Sequence, residues 1–196
     1  MYRRTNIAYE LPSTVKALND GWLATYQIST VVAALFVVVE VHLLTFVKDA
    51  SNYPKEADKS ARHALLIFTY SALFFCLGAT ISGLILTDQF GELPVRASRK
   101  KDPIQQGVFD SGALDLLRTY GAKRSWIWVM WHWLFSLVAG TISLITQVLL
   151  YVWVEESNSV RITLTFISLF AVLPLLHLVP RPQGSGKLSP HGIMNS

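Results

Sequence analysis

Four long apolar segments dominate the chain, with shorter polar and charged stretches between them. They cover residues 22–47, 61–86, 126–154 and 160–179. About 20 apolar residues cross the hydrocarbon core of a bilayer as a helix, so each segment is long enough to span it. Segments this long and continuous favour helices over the shorter strands of a membrane barrel. The pattern therefore predicts an all-α membrane protein, built as a four-transmembrane-helix bundle.

Composition supports this class and excludes others. Of 196 residues, 52% are hydrophobic and only 15% are charged, whereas soluble domains carry about 25% charged residues. Neither a soluble globule nor a disordered chain fits these values. The single cysteine, Cys76, excludes a disulfide within the chain and with it the disulfide-framed membrane scaffolds such as tetraspanins and claudins.

The three longest segments outside the predicted spans are the two termini and one loop. Residues 1–21 are a polar N-terminal segment, and residues 87–125 form the largest loop. Residues 180–196 are rich in proline, glycine and serine, which predicts a disordered tail.

The distribution of basic residues predicts the orientation. Seven of the 17 Lys and Arg residues lie in the loop 87–125, and the two terminal segments carry more. Because cytoplasmic loops are enriched in Lys and Arg, we expect this loop and both termini in the cytoplasm. The sequence does not distinguish the plasma membrane from an endomembrane.

The loop 87–125 contains the features expected to meet the inner membrane surface. A short amphipathic helix is predicted there, with Asp110 or Ser111 as its N-cap and Gly121 as its C-terminal stop. A preceding basic run could contact anionic lipid headgroups or a partner; it comprises Arg96, Arg99, Lys100 and Lys101. The alternative is a solvated loop that only obeys the charge rule. The basic residues form no continuous patch, so we expect no nucleic-acid partner.

Two helical faces are predicted to pack against other helices. Small side chains recur along the second span at Ala72, Cys76, Ala79 and Gly83. Small and polar side chains recur along the third span at His132, Ser136, Gly140 and Ser143. Small residues allow close approach of backbones, and polar ones must face protein or water, so both stripes should line the interior of the bundle.

Glu40 is the one acidic residue inside the predicted spans. It lies about 10 Å inside the outer boundary, at the same depth as Gln147, and Tyr70 is nearby in depth. An exposed carboxylate in lipid is costly, so we expect an intramembrane polar layer of Glu40, Tyr70 and Gln147. A structural hydrogen-bonded carboxyl group and a functional one remain alternatives.

Four histidines lie in or beside the spans and raise the possibility of haem. His42 with His63, and His132 with His177, could form two axial pairs. The faces of the helices do not favour this, because His42 lies nearly opposite Glu40 and no glycine-rich clearance accompanies either pair. We expect no cofactor and no metal site.

Several stretches resemble a family of uncharacterised four-span integral membrane proteins of basidiomycete fungi. They are ARHALLIFTYSALFFCLGATISGLIL (61–86), TDQFGELPVRAS (87–98) and WIWVMWHWLFSL (126–137). The resemblance implies a fungal membrane protein and assigns no functional residue.

No catalytic or nucleotide-binding motif, such as HExxH, GxSxG or a P-loop, occurs in the sequence. We expect a non-catalytic scaffold or subunit that associates with the lipid bilayer or other membrane proteins, as a homo- or hetero-oligomer. The main alternative is a small oligomeric transporter or ion pathway using Glu40. An enzyme acting on lipid through Glu40, His132 or Asp88 is a further alternative.

Overall fold

The computed structural model describes residues 10–49, 59–99, 113–122 and 125–174, and it contains no strand among them. The described residues form six helices: α1 (Ser13–Lys48), α2 (Lys59–Gly91), α3 (Leu93–Ser98), α4 (Ala113–Thr119), α5 (Trp126–Glu155) and α6 (Asn158–Val172). By length and composition, α1, α2 and α5 could each cross a membrane, and α6 is a shorter apolar helix. The predicted all-α class is confirmed for the described residues, and three of the four predicted spans correspond to helices that are long and apolar enough to cross a membrane.

The three long helices form one bundle, and each buries a single stripe of residues. On α2 the buried positions include Leu65, Thr69, Ala72, Cys76, Ala79, Gly83, Leu86 and Phe90. Their spacing alternates between four and three residues, which is the heptad pattern of helices that cross at a shallow angle. The stripes on α1 and α5 follow the same spacing, and α2 packs along both of these helices.

Small side chains bring α2 close to both neighbours. A Cβ placed on Gly140 of α5 would lie 2.9 Å from the Cys76 sulfur and 3.3 Å from the Cys76 backbone nitrogen. A Cβ on Gly83 would collide with the Thr30 hydroxyl of α1. The helix backbones can therefore approach as they do only because these two positions lack side chains.

Larger side chains bridge the wider gap between α1 and α5. The rings of Tyr26 and Trp133 meet edge to face, with centroids 5.1 Å apart. The rings of Phe46 and Tyr151 meet in the same way at 5.5 Å. In cross-section the three helices form a triangle. The α1–α2 and α2–α5 interfaces are close, and long side chains fill the wider gap between α1 and α5.

One end of the bundle carries a compact cap, formed by residues 13–21 of α1, the last turn of α2, α3, α4 and the start of α5. Its buried side chains form one hydrophobic cluster that includes Val15, Phe90, Leu93, Ala97, Leu117, Tyr120 and Trp126. Residues 13–21 were expected to belong to a polar N-terminal segment, yet Val15 and Asn19 are buried. Their spacing continues the stripe of α1, which the local hydropathy does not reveal.

The short helix predicted in the loop is present as α4. The two residues predicted as its N-cap, Asp110 and Ser111, lie outside the described residues. Gly121 follows it with a φ of 108°. The Gly121 N–H donates to the Arg118 carbonyl at 3.1 Å, and the Ala122 N–H donates to the Leu117 carbonyl at 3.0 Å. This pair of bonds is the Schellman motif, so Gly121 ends the helix as predicted from the sequence.

Replacing Gly121 with alanine should lower the free energy of unfolding by about 1 kcal/mol, because a side chain disfavours this positive φ. The new Cβ would also lie 3.4 Å from the Arg96 Cβ, against α3. Thermal unfolding in detergent micelles measures the effect. Gly91→Ala is the matched control, since its Cβ would meet nothing within 4 Å. Equal effects of the two substitutions would contradict the assignment.

The last helix, α6, differs from the others because it has no buried residue. It lies beside α5, where the Trp153 indole N–H donates to the Thr165 hydroxyl at 3.2 Å. Large apolar side chains form its exposed stripe: Ile162, Phe166, Leu169 and Leu173. The fourth span was predicted to reach residue 179, but its last five residues lie outside the described part of the chain. The predicted disordered tail, residues 180–196, lies outside it as well. The core of the bundle consists of three helices, with α6 attached to one of them.

Candidate functional site at the Glu40–Gln147 pair

The far end of the bundle, opposite the cap, contains a buried polar pair. The Gln147 side-chain N–H group donates to both carboxyl oxygens of Glu40, at 2.7 and 2.8 Å. Glu40 is fully buried and Gln147 is 3% exposed. The two residues that were expected to meet from their depth in the membrane are therefore hydrogen bonded.

The pair forms because the stripes of α1 and α5 place these residues opposite each other. Glu40 follows Ala33 by one heptad, and Gln147 follows Gly140 by one heptad. The carbonyl oxygen of Gln147 is buried and has no hydrogen-bond partner among the described residues. Both Glu40 oxygens therefore have a donor, whereas the Gln147 carbonyl oxygen is an acceptor without a donor in the described part of the chain.

Tyr70 does not join this pair. Its side chain is 36% exposed at the surface of the bundle, and the Lys48 ammonium lies 5.5 Å from the centre of its ring. Depth alone placed Tyr70 in the polar layer, whereas its direction around α2 takes it to the outside. The layer found in the structure consists of Glu40 and Gln147.

Both predicted packing stripes lie largely inside the bundle. All four members of the α2 stripe are buried, namely Ala72, Cys76, Ala79 and Gly83. On α5, Ser136, Gly140 and Ser143 are buried, whereas His132 is exposed over much of its surface. Cys76 is a buried free thiol in contact with the Gly140 position.

His132 makes a contact that the sequence analysis did not identify. Its Nδ1 atom lies 2.8 Å from the Ser82 hydroxyl of α2. The residues are 50 positions apart, and Ser82 lies one position from the small-residue stripe, so no short-range pattern connects them. The contact joins α2 to α5 in the half of the bundle nearer the cap.

The basic run beside the cap is only partly described. Arg96 forms an ion pair with Glu92 one turn earlier in the chain, and its side chain is only 19% exposed. Arg99 is exposed at the end of α3, and Lys100 and Lys101 lie outside the described residues. The Arg96 side chain thus pairs with Glu92 and is partly buried, whereas the basic run was expected to contact lipid headgroups or a partner.

Two of the four histidines proposed as haem ligands have other contacts, whereas His63 is exposed on α2. The Nδ1 atom of His42 lies 3.1 Å from the Val38 carbonyl of its own helix, and His132 contacts Ser82. His177 lies outside the described residues. Within the described residues, no group of three or more His, Cys, Asp or Glu side chains is placed to hold a metal ion.

Three long apolar helices around a buried polar pair place the chain in the class of helical membrane proteins. Comparison with protein-family models, with characterised proteins and with solved structures gives no match. The resemblance to a fungal four-span family thus remains a prediction from the sequence.

Proposed function

We propose that the chain is a non-catalytic subunit of a membrane assembly, which binds a partner protein through its cap. The observation that carries this proposal is the packing of the loop between α2 and α5. Instead of running freely between two helices, its described parts bury Leu93, Ala97, Leu117 and Tyr120 against the bundle. Surface loops held by a rigid scaffold are common binding elements, and this loop is held by three helices.

The outer surface of the cap has the chemistry of a modest docking site. Val95 is 46% exposed on α3, and the cationic side chains of Arg99 and Arg118 are exposed on the same cap. A surface that exposes an apolar side chain and also carries arginines suits a partner segment with apolar and acidic side chains. Anionic lipid headgroups would provide additional contacts for the basic residues.

The proposed topology has four spans, with α6 as the fourth and both termini in the cytoplasm. The faces of α6 support it, because large apolar side chains point outward while Thr165 and Ser168 lie on the half-buried side near α5. This is the arrangement expected of a helix between lipid and protein. The cap would then lie at the cytoplasmic surface.

The test is native mass spectrometry of the protein gently solubilised from its own membrane. We expect a second, different chain to remain bound. Val95→Glu should release it, because the substitution places a charge in the apolar part of the docking surface. Val160→Glu is the matched control, since Val160 is 37% exposed at the other end of the bundle. A monomer without a partner, or equal release by both variants, would contradict the proposal.

A second candidate function is an oligomeric ion or solute pathway that uses Glu40. The observation in its favour is the complete burial of an acidic side chain within a spanning helix, since such residues commonly mark transport pathways. A homo-oligomer without another chain in the same mass spectrum would favour this candidate over the first.

A further inference from the structure

A cavity of about 150 Å³ lies at the far end of the bundle, between α1, α2 and α5. Its inner wall is formed by side chains that are at least nine-tenths buried, namely Val47, Leu65, Thr69 and Gln147. Two other lining residues, Phe46 and Val148, are 39% and 43% exposed. They mark the side on which the cavity meets the surface of the bundle, which faces hydrocarbon in a membrane.

The wall of the cavity is almost entirely apolar. Thr69 lines it, but its hydroxyl donates to the Leu65 carbonyl at 2.8 Å. Gln147 lines it as well, but its amide nitrogen donates to Glu40, and its carbonyl oxygen has almost no accessible surface. The wall therefore offers an occupant carbon atoms rather than hydrogen-bonding groups. A polar group placed here would lose its partners in water or at the membrane surface, which is unfavourable.

The position of the cavity along the helices favours a compact occupant over a lipid chain. Its lining residues come from positions 43–47, 65–69 and 147–151, so it is about one helical turn tall. Val47 is the penultimate residue of α1, and Gln147 lies about 12 Å from the end of α5. The ends of acyl chains lie near the midplane, about 15 Å inside the hydrocarbon boundary. A chain would have to fold back from the midplane to place its end in the cavity.

We propose that this cavity binds a compact uncharged hydrocarbon, a ring or branched chain about the size of benzene, which enters from the lipid. An engineered cavity of about 150 Å³ with an aliphatic and aromatic lining stays dry and binds benzene. The membrane supplies the ligand, because apolar molecules concentrate in hydrocarbon. This proposal does not depend on partner binding by the cap, which lies at the opposite end of the bundle.

The first experiment compares benzene with phenol, which adds one hydroxyl to the same ring. The protein is reconstituted in lipid nanodiscs with labelled Leu and Val methyl groups, and both probes are used at equal concentrations in the membrane. Benzene should shift the resonances of Leu43 and Val148 and leave those of Leu86, in the other half of the bundle, unchanged. Phenol should bind at least about fivefold more weakly, because its hydroxyl finds no partner in the wall. Equal binding of the two probes, or no shift with benzene, overturns the proposal.

The same sample tests a lipid chain as the occupant. Leu65 is only 2% exposed, so its methyl groups meet a chain only if the chain lies inside the cavity. Nuclear Overhauser contacts are measured from these methyl groups to benzene and to the protonated chains of the nanodisc lipids. We expect contacts to benzene. Chain contacts that persist when benzene is added would show that a lipid holds the site, and the proposal would be wrong.

Three phenylalanine substitutions test the location. Leu65→Phe extends a buried side chain into the cavity and should abolish benzene binding. Val148→Phe enlarges a partly exposed side chain at the rim, where folding tolerates it, and should weaken binding. Ile67→Phe is the matched control on α2, since Ile67 is 64% exposed and does not line the cavity. It should bind benzene like the wild type. Unchanged binding by both cavity variants, or an equal loss in the control, overturns the assignment.

Discussion

Replacing Gly140 with alanine should lower the free energy of unfolding by about 2 kcal/mol, within the range for overpacked cores. The added Cβ would lie 2.9 Å from the Cys76 sulfur, and the Cys76 backbone nitrogen and the Phe75 Cβ would both be 3.3 Å away. The backbone of α2 cannot move away without disturbing its packing on α1. Unfolding in mixed detergent micelles measures the loss.

Gly78 provides the matched control for this substitution. A Cβ on Gly78 would lie 3.5 Å from the Ser136 hydroxyl and 3.6 Å from the His132 ring, which are ordinary contacts. Gly78→Ala, at the same interface between α2 and α5, should therefore leave stability nearly unchanged. Adding Cys76→Ala to the Gly140 variant should recover part of the loss, because it removes the nearest atom. An additive double variant would argue against a direct clash.

Replacing Gln147 with leucine should lower the free energy of unfolding by about 3 kcal/mol, because it leaves a fully buried carboxyl group without its donor. The size of leucine is close to that of glutamine, so the loss reports the missing hydrogen bonds rather than an empty space. The same micelle unfolding assay measures it, and proper insertion is checked by the yield of membrane-extracted protein.

Two companion variants separate hydrogen bonding from packing at this position. Glu40→Gln should cost less than Gln147→Leu, because its carbonyl oxygen can still accept from Gln147 although the new NH2 group replaces the second acceptor. The double variant Glu40→Leu with Gln147→Leu should restore most of the stability lost by Gln147→Leu, since no buried polar group is left unpaired. A stability loss in the double variant equal to the sum of the losses in Glu40→Leu and Gln147→Leu would contradict a direct interaction.

The helix faces that pack inside the bundle could be predicted from the sequence, because they follow from residues close together in the chain. Residues three and four positions apart share a helical face, so Ala72, Cys76, Ala79 and Gly83 identify the packing side of α2 without any knowledge of α1 or α5. Glu40 and Gln147 are far apart in the chain, yet their equal depth in the bilayer reduced the choice of partners to a few residues.

The features that were missed depend on direction around a helix or on contacts outside the membrane. Tyr70 has the right depth but lies on the outer side of α2, and depth contains no information about that angle. Ser82 lies one position from the stripe, so its contact with His132 needs the actual rotation of both helices. The cap uses Val15 and Leu117 from stretches with ordinary polar composition, where no long apolar run reveals burial.

The Glu40–Gln147 pair has a consequence for how the protein is made. The two residues are 107 positions apart, so at about 5–20 residues per second Gln147 leaves the ribosome about 5–20 s after Glu40. During that interval α1 can already pack on α2 through Thr30 and Gly83, but its carboxyl group has no donor from α5. A nascent chain is therefore incomplete in a chemically recognisable way until the third long helix enters the membrane. Insertion of α5 both closes the bundle and removes the polar feature by which a membrane quality-control system could detect an unfinished molecule.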